Sequence, residues 1–294
     1  MIFLHLYKTH FPMKLKTYLS IAVLLVSTSL VLAQKKEKIK GSKNVTLLQK
    51  DVSSFSAIEV SDNLEIHLEK GEKTAVTIEA DDNLHEIISL DFRDKTIYIS
   101  TSKDVQGYKK LAVKLTYTKE LNLVISKDES VINAIQEINL DDITFKSFDR
   151  SKLFLNVNST NFVLQSNDKS KTELNLKATT AFVELSKNSN LKALLNCTDL
   201  KCDFYQKASA TLEGDAVNAT IRLDNNSDLE ARNFTLKNVA ISCEGEAKCN
   251  LLVDTTIIID AANQSEIKLF GNPKIEIRKF DNEAKLLKKE KEKY

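Results

Sequence analysis

Between residues 151 and 278 the chain alternates apolar and polar positions, and one pattern of that alternation returns with a fixed 19-residue period. The repeats open at Ser151, Ser170, Ser189, Ala208, Ser227, Glu246 and Ser265, each after a polar cluster such as Asp149-Arg150, Asp168-Lys169 or Asn225-Asn226. Counted from the opening residue, position 14 reads Leu164, Val183, Cys202, Ile221, Ala240 and Ile259, all apolar. Position 12 carries Phe162, Ala181 and Leu200, position 16 carries Leu185, Phe204 and Leu223, and positions 3 and 5 carry pairs such as Leu153 and Leu155 or Ile267 and Leu269. Apolar side chains at i, i+2 and i+4 are strand periodicity. A fixed period of this order marks a solenoid, whose rungs bury their apolar faces only by stacking. Heptads and a repeated Leu-Asn consensus are both absent, which excludes a coiled coil and a leucine-rich repeat. The expected architecture is all-β: a right-handed parallel β-helix with 19-residue rungs and at least two short strands per rung. The fifth rung reads as slipped by one residue, with Val239, Ile241 and Cys243 inward. The sixth is irregular, with Ala247, Cys249, Leu251 and Val253 alternating.

The same alternation starts upstream, at Ile58 and Val60, Leu64 to Leu68, Val76 and Ile78, Ile97 and Ile99, and Leu111 to Tyr117. Residues 52–129 are therefore expected to form irregular N-terminal rungs, with a separate β-layer as the alternative, and residues 130–278 the regular helix. Asp62-Asn63-Leu64 and Asp82-Asn83-Leu84 echo each other about one period apart, as two rungs would, and Ser130 opens a rung two places out of step with Ser151. Residues 1–33 read as a secretory signal peptide with Met13 as the better start. Lys14 and Lys16 form its basic region, Tyr18 to Leu32 its apolar core, and Val31-Leu32-Ala33 the cleavage site before Gln34. An uncleaved anchor is the alternative, although the apolar run is short for a span of ~20 residues. Residues 34–51, with five lysines up to Lys43, read as a flexible basic lead-in that is more often a solvated arm than a lipid contact. Residues 279–294 read as a charged tail or cap. Phe280, Leu286 and Leu287 would cover the last rung through a short helix or turn; a disordered tail is the rival.

These segments resemble the family described as "putative auto-transporter adhesin, head GIN domain", a bacterial group of uncharacterised function. The likeness runs from about Phe55 to Arg278 and is carried by Phe55-Ser56-Ala57-Ile58-Glu59-Val60, Asp81-Asp82-Asn83-Leu84, Thr96-Ile97-Tyr98-Ile99, Leu212-Glu213-Gly214 and Ile267-Lys268-Leu269-Phe270-Gly271-Asn272-Pro273. The family's turns are Gly-rich, whereas these are built from Asn, Asp, Ser and Lys, with Gly245 the one glycine left. The resemblance implies an exported solenoid and brings no catalytic residues with it.

Composition narrows the function classes. The formal charge of +1 gives no basic excess of the kind that phosphate binding requires, so nucleic acid is not an expected partner. Of the four histidines only His67 and His85 lie beyond the leader, and His67 alternates with Ile66 and Leu68, which places it outward. No CxxC or His-x-His pair offers a zinc site at a familiar spacing, no Gly-rich loop could cradle phosphate, and no cofactor or metal is expected. Cys197, Cys202, Cys243 and Cys249 are even in number, which allows disulfides in an exported chain, but Cys202 and Cys243 fall in apolar columns and favour buried thiols.

One constellation carries candidate chemistry. Position 15 points outward and reads Gln165, Glu184, Asp203 and Arg222 on consecutive rungs. Glu184 beside Asp203 is a like-charged pair that could hold Ca²⁺ or serve as acid and base in carbohydrate cleavage. The bland reading is a solvated ladder in which Arg222 pairs with Asp203, and no aromatic shelf for a sugar is evident beside it. Two function classes follow. The first is a non-catalytic exported scaffold presenting its long face to an envelope or extracellular polymer or protein, found in the periplasm, on the outer surface or in the medium. The second is a carbohydrate-active β-helix enzyme. A weaker third, an envelope-stress sensor, would need a signalling partner.

Overall fold

The computed structural model describes residues 36–290. The leader and cleavage site therefore lie outside the described residues, as does the end of the tail from residue 291. The strands described here belong to one compact unit that starts at Lys38. They are β1 (Lys38–Lys40), β2 (Val45–Lys50), β3 (Ala57–Val60), β4 (Glu65–Lys70), β5 (Ala75–Asp81), β6 (Ile88–Arg93), β7 (Thr96–Thr101), β8 (Asp104–Gln106), β9 (Leu111–Tyr117) and β10 (Leu123–Ser126), with one 3-10 helix, Asp82–Ile87. Long bent strands follow: β11 (Val131–Ser147), β12 (Lys152–Ser166), β13 (Lys171–Leu185), β14 (Asn190–Phe204), β15 (Ser209–Leu223), β16 (Asp228–Cys243) and β17 (Lys248–Ala261). Short β18 (Glu266–Phe270), β19 (Lys274–Phe280) and β20 (Lys285–Lys288) end the chain.

From β10 to β18 each strand pairs in parallel with the next, and β12 through β15 stay in register exactly one repeat apart, as in Leu164↔Val183↔Cys202↔Ile221. The fold is a parallel β-solenoid. Every long strand crosses a corner. In β12, Leu153, Leu155, Val157 and Ser159 are buried, then Thr160 and Asn161 are both exposed, then Phe162, Leu164 and Ser166 are buried. Two successive outward residues reverse the phase of the alternation, so odd positions face the core before the corner and even positions after it. That reversal divides each rung between two sheet faces around one apolar core. The opening serines are inward too: Ser151, Ser170, Ser189 and Ser265 are fully buried at the second corner, and Ser151 Oγ donates to the Phe148 carbonyl at 2.7 Å. Rung six opens at Ala247, one residue after the Glu246 read from the sequence, because Ser209 pairs with Asp228 and Asp228 with Lys248. Irregularities in the β15–β16 and β16–β17 ladders absorb the extra residue, and Val239, Ile241 and Cys243 are indeed inward.

The turn between rungs has one recurring conformation. Asp128, Asp149, Asp168, Lys187, Gln206, Asn225, Asn263 and Asn282 all have φ between 57° and 63°, and Gly245 takes the same place at 74°. Left-handed backbone costs a non-glycine residue roughly 1–2 kcal/mol, which a glycine-rich turn would avoid. The aspartates offset it with a bond that glycine cannot make. The Asp128 carboxylate accepts the Asp62 backbone N–H at 2.9 Å, and the Asp149 carboxylate accepts that of Asp128 at 3.1 Å. Each acid thus caps the turn of the rung below.

The N-terminal region departs from a simple succession of rungs. On one face the order runs β11–β4–β9–β5–β2, and on the other β11–β10–β3–β7–β6. The rung made by β3 and β4 thus lies inside the one made by β7 and β9, although it comes first in the chain. β5, β2 and β6 close this end antiparallel. The echo at Asp82-Asn83-Leu84 is not a rung: it opens the 3-10 helix. Val45–Lys50, read as part of a flexible lead-in, is an edge strand, because the free edge of β5 takes it in a continuous antiparallel ladder from Val45↔Asp81 to Lys50↔Val76. Asp81 locks this end. Its buried carboxylate accepts the backbone N–H groups of Lys43 at 2.8 Å, Lys109 at 3.1 Å and Lys110 at 3.0 Å. A Cβ on Gly41 would lie 2.1 Å from that carboxylate, so only glycine fits there.

The C-terminal end is built differently. The segment expected to fold back as a helix or turn is β20, a further strand on β18, with Leu286 stacked on Ile267. A short charged segment takes strand form here because the β18 edge offers it an unpaired ladder. On the other face β19 stacks Ile275, Ile277 and Phe280 on Ile257, Ile259 and Ala261. These three side chains stay 43%, 50% and 42% exposed, so Phe280 extends the core without covering it. Lys288 occupies an inward column over Leu269 and reaches the Gly271 carbonyl. An inward-pointing charge at the last rung discourages another strand from adding to the stack.

Candidate functional site

The position-15 column lies on the second face. Gln165, Glu184, Asp203 and Arg222 are consecutive partners in the parallel ladder, about 4.8 Å apart between strands. Their ion pairs run within strands rather than along the column. Asp203 pairs with Lys201 at 3.0 Å and Arg222 with Asp224 at 3.4 Å, so the expected Asp203–Arg222 bridge does not form. In a strand, residues two apart point to the same side and reach each other with a long side chain, and Lys201 arrives before Arg222 can. Asp203 is only 8% exposed, and its hydrogen bond raises the Lys201 pKa.

Aromatic rings do accompany the column. Lys201 lies 4.8 Å from the centroid of Phe182, and the Arg222 guanidinium 5.4 Å from that of Tyr205. Phe182 and Tyr205 sit at outward positions 13 and 17, which a search along a single column passes over. Both rings are covered by cations, and the two carboxylates stand side by side on an open sheet. Glycoside cleavage instead places its carboxyl groups on opposite sides of the bond to be broken. Among the described residues no group of three His, Cys, Asp or Glu could hold a metal ion.

The first face carries the more distinctive surface. An open groove of about 550 Å³ runs across β11 to β15, lined by Ile135, Phe154, Asn156, Asn175, Lys192 and Leu194 among others. Ile135 is 76% and Leu194 53% exposed, where their columns otherwise present polar side chains. Ile135 protrudes because β11 slips register between Ala134 and Ile138; these extra residues put Ser130 two places out of step. Its carbonyl accepts the Asn156 side-chain amide at 3.3 Å, and Asn156 accepts that of Asn175 at 3.0 Å. Amide ladders also line the corner. Asn161 donates to Asp142 at 2.7 Å, Thr180 to Asn161 at 2.6 Å, Asn218 to Asp199 at 2.9 Å and Asn238 to Asn218 at 3.1 Å. They were legible as Asn, Asp and Thr recurring at position 11, a polar column whose hydrogen bonds appear only once the rungs are stacked.

The histidines stay outside these surfaces. His67 faces out and contacts Glu65 at 3.1 Å, and His85 is buried beneath β2 with Thr46 Oγ1 2.8 Å from its Nε2.

The described residues thus form a stacked parallel solenoid with side-chain ladders along its faces and an open groove on the first. The chain belongs to the family described as "Putative auto-transporter adhesin, head GIN domain", whose model matches residues 54–273. Among solved structures it is similar to a putative adhesin from Parabacteroides distasonis (16% identity, TM-score 0.65), over 86% of this chain and 100% of that one. A putative adhesin from Parabacteroides merdae is similar at 17% identity and TM-score 0.62, over 86% and 99% of the two chains. A putative lipid binding protein from Parabacteroides distasonis is similar at 13% identity and TM-score 0.59, again over 86% and 99%. These likenesses are of fold. No curated protein sequence matches the chain. Among the described residues no helix is long and apolar enough to cross a membrane.

Proposed function

We propose that this chain is a non-catalytic, exported binding scaffold that holds an external polymer along its first sheet face. The observation that carries the reading is the groove, in which Ile135 and Leu194 stand exposed in a column that otherwise carries Asn156, Asn175 and Glu213. Together with the outward Phe154 ring these side chains make the groove lining largely apolar, and an exposed apolar patch rimmed by polar residues marks an interaction surface. Asn156, Asn175, Lys192 and Glu173 beside them supply donors and acceptors to orient a bound chain. Family membership and the leader pattern support export, to the periplasm, the outer surface or the medium. A panel of envelope and extracellular polysaccharides, screened by retardation in affinity electrophoresis, tests the reading. A polymer retained by the wild type should not be retained by the double variant Ile135→Ser with Leu194→Ser, whose circular dichroism should be unchanged. Equal retention would remove the groove from the account. Cleavage of any polymer, lost in Glu184→Gln or Asp203→Asn, would replace the scaffold with an enzyme. Mature protein from the envelope should begin at Gln34; Met1 or Met13 on a cytoplasmic form would end the export reading.

A further inference from the structure

The four cysteines are buried thiols, and two of them stand in a relation the others lack. Cys243 ends β16 in the position-16 column, and Cys249 is the second residue of β17 in the position-3 column. Successive partners carry these columns back to Ser166, through Leu185, Phe204 and Leu223, and to Thr172, through Leu191, Ala210 and Leu229. Across that earlier turn Ser166 Oγ and Thr172 Oγ1 are 3.5 Å apart. The turn therefore brings position 16 and the next position 3, six places on, into side-chain contact inside the core. At residues 243 and 249 the same spacing holds, and the neighbouring Cys243 thiol, together with burial, pushes the Cys249 thiol pKa up. The Cys243 thiol also donates to the Ala247 carbonyl at 3.6 Å, which aims its sulfur across the turn. Cys197 and Cys202 differ: they lie on either side of the strand corner, at positions 9 and 14.

We propose that Cys243 and Cys249 form an intrachain disulfide bond across the turn 244–248 when the chain meets a disulfide oxidant. One thiolate attacks the oxidant's sulfur, giving a mixed disulfide and releasing one reduced thiol. The second thiolate then displaces the other half of the oxidant. Two S–H bonds break, one S–S bond forms, two protons leave, and the two electrons reduce the oxidant disulfide to a pair of thiols. Because both sulfurs are buried in the folded rung, the bond forms during folding. It staples the irregular fifth and sixth rungs, where the ladder slips most, and it does not depend on what the solenoid binds.

The sequence makes the test clean, since cleavage after Lys192, Lys201, Lys207, Lys237, Lys248 and Lys268 puts the four cysteines on four separate peptides. The full chain is reduced, unfolded, refolded with oxidised and reduced glutathione, and its remaining thiols are alkylated in denaturant. The expected product carries two alkyl groups, on Cys197 and Cys202, and peptides 238–248 and 249–268 stay joined until reduced. Its melting temperature should fall on reduction, whereas Cys243→Ser should melt equally with and without reductant. Four alkylated cysteines after refolding, or a bond to Cys197 or Cys202, would overturn the proposal. Peptide mapping of the wild type decides the matter even if Cys243→Ser does not fold.

Discussion

Replacing Ile221 by Ala tests the register on which every statement about faces depends. Ile221 is 2% exposed and stands between Cys202 and Ile241 in the position-14 column. The substitution removes three buried carbons, worth ~0.8 kcal/mol each in transfer. The gap left between two fixed rungs adds ~24 cal/mol per Å³ of whatever volume does not collapse. A parallel stack held by ladders on both sides collapses little, so the total should approach about 4 kcal/mol, inside the roughly 2–5 kcal/mol seen for such truncations. At roughly 2–4 °C per kcal/mol for a chain of this size, the melting temperature should fall by about 10 °C. Thr220, the adjacent residue, points outward and is exposed, so Thr220→Ala should shift stability by no more than ~0.5 kcal/mol. Calorimetry or circular dichroism on the two variants reads the difference. A one-residue slip would exchange the two faces, and Thr220→Ala would then be the damaging change. Equal melting temperatures for the pair would refute the assignment of inward and outward columns.

Three further outcomes follow from the ends and the core. Burial alone would raise the Asp81 pKa, but the backbone N–H groups of Lys110, Lys43 and Lys109 outweigh it and hold the group below the usual carboxylate range. Its folded pKa is depressed, so its contribution is present above the unfolded value of ~3.9 and is lost as pH falls through the folded one. Asp81→Asn should therefore melt well below wild type at neutral pH, with the gap closing below about pH 4; a gap independent of pH would refute the role given to the charge. Burial pushes the Tyr117 phenol up to about 12, so one of the seven tyrosines should ionise late in an ultraviolet titration. The raised pKa is a stabilisation present below pH ~10 and lost as pH rises toward 12, so Tyr117→Phe should resist alkaline unfolding better than wild type. Truncation after Lys279 uncovers Ile267 and Leu269 and removes Lys288, and light scattering should then report concentration-dependent association. A truncated chain that stays monomeric and melts with the full one would show that β20 protects nothing.

What the sequence determined by itself is the repeat. Side chains at positions 3, 5, 12, 14 and 16 had to be apolar in nearly every rung, because each is covered by its counterparts above and below, so the 19-residue period and the parallel stack were legible without coordinates. The single-residue slip at Val239, Ile241 and Cys243 was legible for the same reason. The conformation of the turns was not, since Asp149, Lys187 and Gln206 share no chemistry that announces left-handed backbone; only the repeated geometry of stacking imposes it. Nor was the N-terminal end. The strand order β10–β3–β7 depends on which edge each strand meets, and alternation records burial without naming the neighbour. The candidate site divided along the same line. Column 15 could be listed from the spacing, but its ion pairs were decided by reach across the strand surface, where Lys201 takes Asp203 and leaves Arg222 to Asp224 and the ring of Tyr205. The groove needed tertiary structure altogether, because Ile135 and Leu194 lie far apart in the chain and come to line one surface only when β11 to β14 stack in one sheet.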